Sequence, residues 1–280
     1  MKAEQPLVSV LMTAYNREAY IAEAIESVLA SIYDHFELII VDDGSKDSTV
    51  VIARDYAAKD NRVRVFVNEK NLGDYHNRNK AASYARGKYL KYWDSDDVLY
   101  PHALSVMVAA MEKFPMAGFG LVKAHMPIFN QPYPVFVEHP FRLLCQENSL
   151  FNNSPGSAIM KRELFESIGG FSGKRYIGDN EFWIKCSMHS PMVIIAGYLG
   201  WDRTHANQER NFDPVKYEDL RQSLYFEALE NPANGLDPAE ARAFKQRRKA
   251  SLVKNALADL RHLRWQTFFK KRLLIKYLFK

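Results

Sequence analysis

Short apolar segments alternate with segments of helical spacing through much of the first two hundred residues. Residues 7–13, 36–41 and 89–93 are apolar and rich in β-branched or aromatic side chains, which is typical of strands buried on both faces. Between the first two of these segments, residues 18–31 carry apolar side chains at helical intervals. Such alternation with short connections predicts an α/β fold with a mostly parallel sheet covered on both faces.

The same patterns predict the remaining elements. Helices are expected at 47–58, 74–85, after Pro101 and at 180–189, and strands at 62–67, 156–161 and 192–196. Between 114 and 155 the alternation is lost, and prolines mixed with aromatic residues predict irregular structure. Beyond Pro214 the chain is expected to be helical, with a break at 231–238. We therefore predict a domain at 1–210 and a helical extension at 211–280.

Acidic residues follow two of the predicted strands. Asp42 and Asp43 end the second strand, and an acidic run of Asp94, Ser95, Asp96 and Asp97 follows 89–93. Parallel sheets bind ligands beyond the carboxyl ends of their strands, so both groups are expected to line one crevice.

Each acidic group also has an ordinary structural interpretation. The acidic run has the oxygen ligands that Mg²⁺ and Mn²⁺ favour, but Asp96 or Asp97 could instead cap the helix near Pro101. Asp42 and Asp43 could accept hydrogen bonds from a base or a ribose, or could simply form a turn before a helix. These alternatives stay open on the residues alone.

Glycine-rich phosphate loops are missing from the expected places. The segment after the first strand has no Gly-x-Gly-x-x-Gly pattern, and the chain has no Gly-Lys-Ser/Thr loop. A nucleotide bound here would need its phosphates neutralised by a metal and by arginine.

Taken together, the motifs resemble those of the family 2 glycosyltransferases of GT-A fold over about residues 7–205. The resemblance is carried, in order, by Thr13-Ala14-Tyr15-Asn16-Arg17, Val41-Asp42-Asp43-Gly44-Ser45, Asn71-Leu72-Gly73, Arg78-Asn79, Asp94-Ser95-Asp96-Asp97, Gly178-Asp179-Asn180-Glu181-Phe182-Trp183 and Trp201-Asp202-Arg203-Thr204-His205.

The resemblance implies a role for each matching position. Thr13, Tyr15 and the Asp42/Asp43 turn match uridine-binding positions, and Arg78 matches a basic residue near the diphosphate. Arg17, Ser95, Trp183 and Arg203 complete the expected set of donor-binding residues. Asp94 and Asp96 match the metal-binding Asp-x-Asp motif, with Asp96 as the most direct ligand and His205 near the metal or diphosphate. Asp179 matches the catalytic base.

Several of these positions have simpler explanations. Asp179 could cap the helix that begins at Asn180, and Trp183 could be core packing. His205 could be an ordinary hydrogen-bonded histidine, and Arg78 a solvated helix residue.

The sequence also departs from the family pattern. Gly178 stands where the family usually has an acid, Ala14 stands before Tyr15, and Met12 stands where a proline is usual. Residues 74–77 are bulkier and more polar than the small residues common there, which we expect to reshape the donor pocket.

These implications define the expected function. We expect an inverting, Mg²⁺- or Mn²⁺-dependent transfer of a sugar from a UDP-linked donor to a hydroxyl on a glycan or lipid-linked acceptor, in bacterial surface glycan synthesis. Inversion follows from one base carboxylate without a second, nucleophilic one. Two alternatives remain: a non-catalytic nucleotide-sugar or glycan-binding protein, and a sugar nucleotidyltransferase, which would want a glycine-rich basic N-terminal loop.

Composition and charge help to predict the cellular compartment and the partners of the C-terminal region. Two cysteines, Cys145 and Cys186, give no disulfide framework, and neither a signal peptide nor a long apolar span is recognised, so a cytoplasmic location is expected. Residues 242–280 contain thirteen Lys or Arg and a single acid, Asp259. This basic, aromatic-rich tail could bind the inner face of the plasma membrane, pack on the catalytic domain, or join a homodimer. Nucleic acid is not an expected partner, because no recognition motif accompanies the charge.

Overall fold

In the computed structural model, which describes residues 5–123, 133–146, 153–205 and 213–261, an eight-stranded sheet forms the centre of the molecule. The sheet is formed by β1 (Val8–Ala14), β2 (Phe36–Asp42), β3 (Val63–Val67), β4 (Tyr89–Tyr92), β6 (Phe119–Lys123), β7 (Val135–Val137), β8 (Ala158–Lys161) and β9 (Met192–Ala196). Its strand order is β3-β2-β1-β4-β8-β6-β9-β7. A separate two-stranded sheet pairs β5 (Val98–Leu99) with β10 (Gly200–Trp201).

The first half of the sheet is parallel, as predicted. β1 pairs in parallel with β2 on one side and with β4 on the other, and β2 continues to β3. β8 then runs antiparallel between β4 and β6, whereas β9 is parallel to β6. Alternate residues of β1 and β2 belong to two different apolar clusters, one on each face, which explains the continuous apolar pattern of these strands.

Helices cover both faces of the sheet. They are α1 (Ile21–Leu29), α2 (Thr49–Lys59), α3 (Asp74–Ser83), α4 (Ala103–Lys113), α5 (Pro140–Gln146), α6 (Arg162–Ser167), α7 (Gly178–His189), α8 (Pro214–Glu230) and α9 (Pro238–Arg261). The predicted helices are therefore present with shifts of a few residues at their ends.

The prediction of irregular structure throughout 114–155 was wrong for part of that range. β6 is an interior strand of the sheet, and β7 and α5 follow it. The short β6 includes Gly120, whose position would put a Cβ atom 2.8 Å from the Ile195 side chain and 3.2 Å from that of Met111. Glycine permits this close packing, but it has no side chain that could mark the strand in the sequence. The sequence pattern of β6 is therefore weak.

The extension packs on the rest of the chain. Leu224, Phe226 and Phe244 are buried in the apolar cluster that lies on one face of the sheet. The Tyr217 hydroxyl donates a hydrogen bond of 2.8 Å to the Asn180 side chain of α7, and Arg142 of α5 pairs with Glu240 at 2.7 Å. Of these contacts only that of Phe244 lies within the basic tail at 242–280, so the three alternatives for the tail stay predictions.

The second half of the predicted tail, residues 262–280, lies outside the described residues, as does much of the aromatic-rich stretch at 124–132 and 147–152. Among the helices of the described ranges, none combines the length and the apolar character required to cross a membrane.

Candidate active site

The carboxyl ends of β1, β2 and β4 meet at one edge of the sheet. Ala14 of β1 lies opposite Asp42 of β2, and Leu11 lies opposite Tyr92 of β4, so Thr13, Asp43 and Asp94 leave the sheet at the same side. The structure thus brings the two predicted acidic groups to one crevice. Thr13 is half-buried there, while Tyr15 is 44% exposed at its rim.

Asp42 and Asp43 are both buried and both hydrogen-bonded to nearby backbone. Asp42 accepts from the N–H groups of Gly44 and Ser45, at 3.0 and 2.8 Å, and so forms the turn after β2. Asp43 accepts from the Leu72 N–H at 2.8 Å and the Gly73 N–H at 2.9 Å, and so fixes the loop before α3. The turn interpretation therefore describes what these two carboxylates do in this structure, and a ligand role for them remains a prediction.

The acidic run is held by cationic side chains from other elements. Asp94 accepts from Arg78 of α3 at 2.8 Å, and the same guanidinium pairs with Asp74 at 2.9 Å. Asp96 has one carboxylate oxygen, Oδ2, that contacts both Arg17 at 3.2 Å and His205 at 2.9 Å. The four predicted residues Arg17, Arg78, Asp96 and His205 thus form one network around the run.

Arg78 is the most deeply placed cation of this network. Its side chain is 8% exposed, and its Nη1 atom is buried without a hydrogen-bond partner. Although burial acts to lower the pKa of Arg78, Asp74, Asp94 and Asp179 raise it well above its ordinary value, so the group stays charged. A buried donor without a partner is costly, and it can be satisfied by an anionic ligand that enters the crevice.

Asp97 and Arg203 close the other side of the run. The Arg203 N–H donates to the Asp97 carboxylate at 2.8 Å, and the Arg203 guanidinium donates to the Asp96 carbonyl at 2.9 Å. Burial raises the pKa of Asp97 to about 7, with Asp94, Asp96 and Asp202 adding to the effect and the Arg203 N–H opposing it. The carboxylates here are crowded enough that added positive charge would be stabilising.

Asp179 lies at the start of α7, across the crevice from this network. Burial, together with the charges of Asp74 and Asp94, raises the pKa of Asp179 to about 7, although Arg78 and Tyr75 act to lower it. Its Oδ1 atom is buried and has no hydrogen-bond partner. A carboxylate with this pKa and a free oxygen has the properties of a general base near neutral pH.

Trp183 does not fit its predicted place among the donor-binding residues. Its side chain is fully buried, stacks on Phe119 and contacts Phe182, and its indole N–H donates to the Asn153 carbonyl at 2.9 Å. With no exposed surface, the ring cannot touch a donor from this position, and the alternative of core packing describes it. Ser95 is also buried, within the turn of the acidic run.

The carboxylates do not form a ready-made cation cage. Within the described ranges, no group of three or more His, Cys, Asp or Glu side chains is arranged as a metal site. No described residue hydrogen-bonds to Asp94 Oδ2 or Asp96 Oδ1, however, so each predicted ligand keeps one oxygen. Two such oxygens fit Mg²⁺ or Mn²⁺, because these ions usually take the rest of their ligands from water and substrate phosphates.

Two residues that contact this site were not among the predicted site residues. Asp74 pairs with Arg78 four positions later on α3, a spacing from which the pair could have been predicted. Tyr75 contacts Asp179 from more than a hundred residues away in the chain, and no local pattern indicates that contact.

Comparison with known proteins gives the family of the chain. The family model described as glycosyl transferase family 2 matches residues 9–169. The putative glycosyltransferase EpsE of Bacillus subtilis is 39% identical over 187 residues, covering 64% of this chain and 66% of EpsE. The putative teichuronic acid biosynthesis glycosyltransferase TuaG of the same organism is 44% identical over 93 residues, covering 33% of this chain and 37% of TuaG. The match to these relatives thus spans between about a third and two thirds of their length.

Solved structures confirm the predicted α/β GT-A fold. The S. aureus TarS structure in complex with UDP-GlcNAc has a TM-score of 0.67 at 20% identity, covering 85% of this chain and 70% of that one. The mannosyltransferase PcManGT of Pyrobaculum calidifontis, in complex with GDP-Man and Mn²⁺, has a TM-score of 0.59 at 16% identity, covering 98% of this chain and 86% of that one.

Proposed function

Since the chain belongs to glycosyl transferase family 2, we propose that it transfers a sugar from a nucleoside diphosphate donor to a hydroxyl acceptor, with inversion at the anomeric carbon. The proposal rests on a buried cation and a buried carboxylate in one crevice. Each of them has a polar atom without a hydrogen-bond partner. These are Arg78 Nη1 and Asp179 Oδ1.

The crevice suits a diphosphate on one side. Arg78, Arg17 and Arg203 bring three guanidinium groups to the acidic run, and each is paired with a carboxylate or carbonyl that would share it with an incoming phosphate. Guanidinium groups recognise phosphate oxygens with charge-assisted hydrogen bonds. The free Arg78 Nη1 is the donor that lacks a partner until such a ligand binds.

A divalent cation completes the charge balance. Asp94 and Asp96 would hold Mg²⁺ or Mn²⁺ with their remaining oxygens, and His205 lies beside Asp96. When bound, the ion stabilises the negative charge of the departing diphosphate. The mannosyltransferase PcManGT, with which this chain shares its fold, was solved with Mn²⁺, which supports this part of the proposal.

Asp179 would remove the proton from the acceptor hydroxyl. Direct displacement requires that proton to leave as the oxygen attacks the anomeric carbon, and the carboxylate in its ionised form can accept it. One base with no second, nucleophilic carboxylate assigned to the sugar gives inversion. Asp179 is the second residue of α7 and Ile177 occupies the N-cap position, so the alternative in which Asp179 caps the helix does not describe this structure.

We propose a UDP-sugar as donor and a cell-surface glycan, or a lipid-linked precursor of one, as acceptor. TarS was solved with UDP-GlcNAc, and TuaG is named for teichuronic acid biosynthesis, which supports both choices. Because PcManGT was solved with GDP-Man, a GDP-sugar is the donor class to compare directly.

A donor screen tests the proposal. The unfolding temperature should rise with UDP or UDP-N-acetylglucosamine when Mn²⁺ is present and rise less when the metal is chelated, because a ligand that binds only the folded state stabilises it. Release of UDP from the donor should follow in the same samples. Stabilisation without any release, over UDP- and GDP-sugars and several acceptors, would favour the alternative of a non-catalytic nucleotide-sugar-binding protein.

A further inference from the structure

The Tyr75 ring lies directly against the backbone of Gly178, the residue before Asp179. A Cβ atom on Gly178 would lie 2.6 Å from Cε2 and Cζ of that ring and 2.9 Å from Cε1. Real side chains avoid such distances, so residue 178 must be glycine as long as Tyr75 stands there. Gly178 is the first residue of α7, and its backbone conformation is one that any residue can adopt. The glycine is therefore required by the Tyr75 ring and not by the backbone.

The Tyr75 hydroxyl reaches both the backbone and the side chain of Asp179. An interaction with Tyr75 opposes the rise in the pKa of the Asp179 carboxyl, and the Asp179 N–H opposes the rise in the pKa of the Tyr75 hydroxyl. The residue at the N-cap position of α7 is Ile177, which has no side-chain group to cap the helix. Tyr75 is the side chain of α3 that packs against this uncapped first turn of α7.

The ring itself is held firmly. It packs against Phe171, with ring centroids 5.4 Å apart, and against the apolar cluster beneath α7. Tyr75 also belongs to the first turn of α3, next to Asp74 and one helical turn before Arg78. Burial raises the pKa of the Tyr75 hydroxyl well above its ordinary range, so the hydroxyl remains a donor at every pH of interest.

The geometry points to Tyr75 as a positioning residue for the base Asp179, with Gly178 as the obligatory partner that leaves room for its ring. This inference rests on the proposed function, since it concerns how the proposed base is held. The ring lies against the first residue of α7, its hydroxyl acts on the Asp179 carboxyl, and Oδ1 of that carboxyl has no hydrogen-bond partner and could receive the acceptor hydroxyl. The guanidinium of Arg78, placed by the same helix α3, then keeps a set distance from the base.

The hydroxyl is tested by Tyr75→Phe, which keeps the ring over Gly178. We expect turnover (kcat) to fall about tenfold or more, because the carboxylate loses its fixed orientation, while the KM for the donor stays within about twofold. The kcat/KM profile should also shift to higher pH, because an interaction that favours the ionised carboxylate has been removed. UDP-N-acetylglucosamine and GDP-mannose with Mn²⁺ serve as probes, with water as the acceptor and UDP or GDP release as the readout.

Titration of the Asp179 carboxyl by NMR, on protein with isotope-labelled aspartate, gives a readout that needs no turnover. The groups facing Asp179 are Asp74, Tyr75 and Arg78 of α3, Asp94 after β4 and Tyr217 of α8, and all but Tyr75 are retained in the variant. The matched control is Tyr84→Phe, at the end of the same helix, where the ring stacks on Phe66 and does not approach the site. The control should have the wild-type kcat and the wild-type titration of the Asp179 carboxyl.

The pairing with Gly178 is tested by a double-mutant cycle. Gly178→Ala should lower kcat about tenfold or more in the native background, because the new methyl group displaces the Tyr75 ring. In a Tyr75→Ala background the same change should cost less than about twofold, because the ring is no longer there. Gly156→Ala is the matched control, since a Cβ there meets its neighbours only at 3.5 Å or more.

Two results would overturn the inference. One is a Tyr75→Phe protein with native kcat and a native Asp179 titration, and the other is a Gly178→Ala effect that is equal in both backgrounds. Failure of the proposed function itself looks different: Asp179→Asn would then retain native turnover. If Asp179→Asn is inactive while the Tyr75 and Gly178 variants behave as wild type, only the positioning role is lost.

Discussion

Asp96 and Asp179 lie in the same crevice but have opposite surroundings. Asp96 shares one oxygen with Arg17 and His205, and these two partners come from separate parts of the chain. Asp179 has a buried oxygen without any partner, and its pKa is raised to about 7. The comparison teaches that the neighbouring charges suit the two carboxylates to different roles. Asp96, with positive partners, is suited to stay ionised and bind a cation, whereas Asp179, with an unpartnered oxygen, is suited to accept a proton.

Removing the base should give the largest effect. Asp179→Asn keeps the shape of the side chain but cannot accept a proton, so we expect kcat to fall by about 10²- to 10⁴-fold. Donor affinity should change little, because the diphosphate is held on the other side of the crevice. Kinetics combined with calorimetric titration of UDP in the presence of Mn²⁺ checks both statements. A large loss of UDP affinity with native kcat would mean that Asp179 binds the donor and is not the base.

Neutralising the compensated carboxylate should affect binding first. Asp96→Asn is expected to weaken Mn²⁺-dependent UDP binding by ~10-fold or more, equivalent to about 1.4 kcal/mol. The loss should be much smaller when Mn²⁺ is replaced by a chelator, since the missing charge is the one that faces the ion.

Asp60→Asn provides the control for that variant. Asp60 pairs with Arg62 at 2.7 Å just before β3, at the opposite edge of the sheet. This variant should bind UDP as the wild type does. Equal losses in the Asp96 and Asp60 variants would mean that the effect is a general loss of negative charge.

The pH dependence should also differ between the two sides. Because only ionised Asp179 accepts a proton, kcat/KM should rise as the pH passes through about 7 and should fall about tenfold for each pH unit below it. Asp97 also titrates near pH 7, so Asp97→Asn is the variant that separates the two groups. It should keep the acid limb of the profile, whereas Asp179→Asn should abolish it.

The smallest effect is expected from the basic tail. A chain ending after Arg261 keeps α8 and the packing of Phe244, so kcat and UDP affinity should remain within about twofold of the full chain. Pelleting with anionic vesicles compares the two proteins: loss of pelleting in the shorter chain supports attachment to a membrane surface. Equal pelleting removes that alternative for residues 262–280, and a changed molecular mass in solution would favour the homodimer.

Much of the site could be predicted because its residues follow strands that bury both faces. The apolar patterns of β1, β2 and β4 fix where each strand ends, and the polar residues that follow must meet at one edge. The motif around Asp179 was recognised differently, from its resemblance to the family motif, because the local pattern alone also allowed a helix cap. These features depend on local sequence, which a single chain displays.

Other parts depend on contacts between distant segments and could not be predicted. The contact of Tyr75 with Gly178 joins two helices, and neither sequence pattern reveals the other. Trp183 occurs in a motif shared with donor-binding positions, yet its burial against Phe119 is decided by β6, a strand that the sequence pattern does not reveal. The hydrogen bonds of Asp43 to the loop before α3 likewise depend on how the chain returns to the sheet.

The way in which Asp43 holds that loop has a consequence for variation and engineering. Its carboxylate bonds to the main-chain N–H groups of Leu72 and Gly73, and not to their side chains. Gly73 is needed for its positive φ of 84°, but the side chain at position 72 makes no part of the anchor. The side chain at position 72 can therefore be varied without loss of the anchor that places α3 and Arg78.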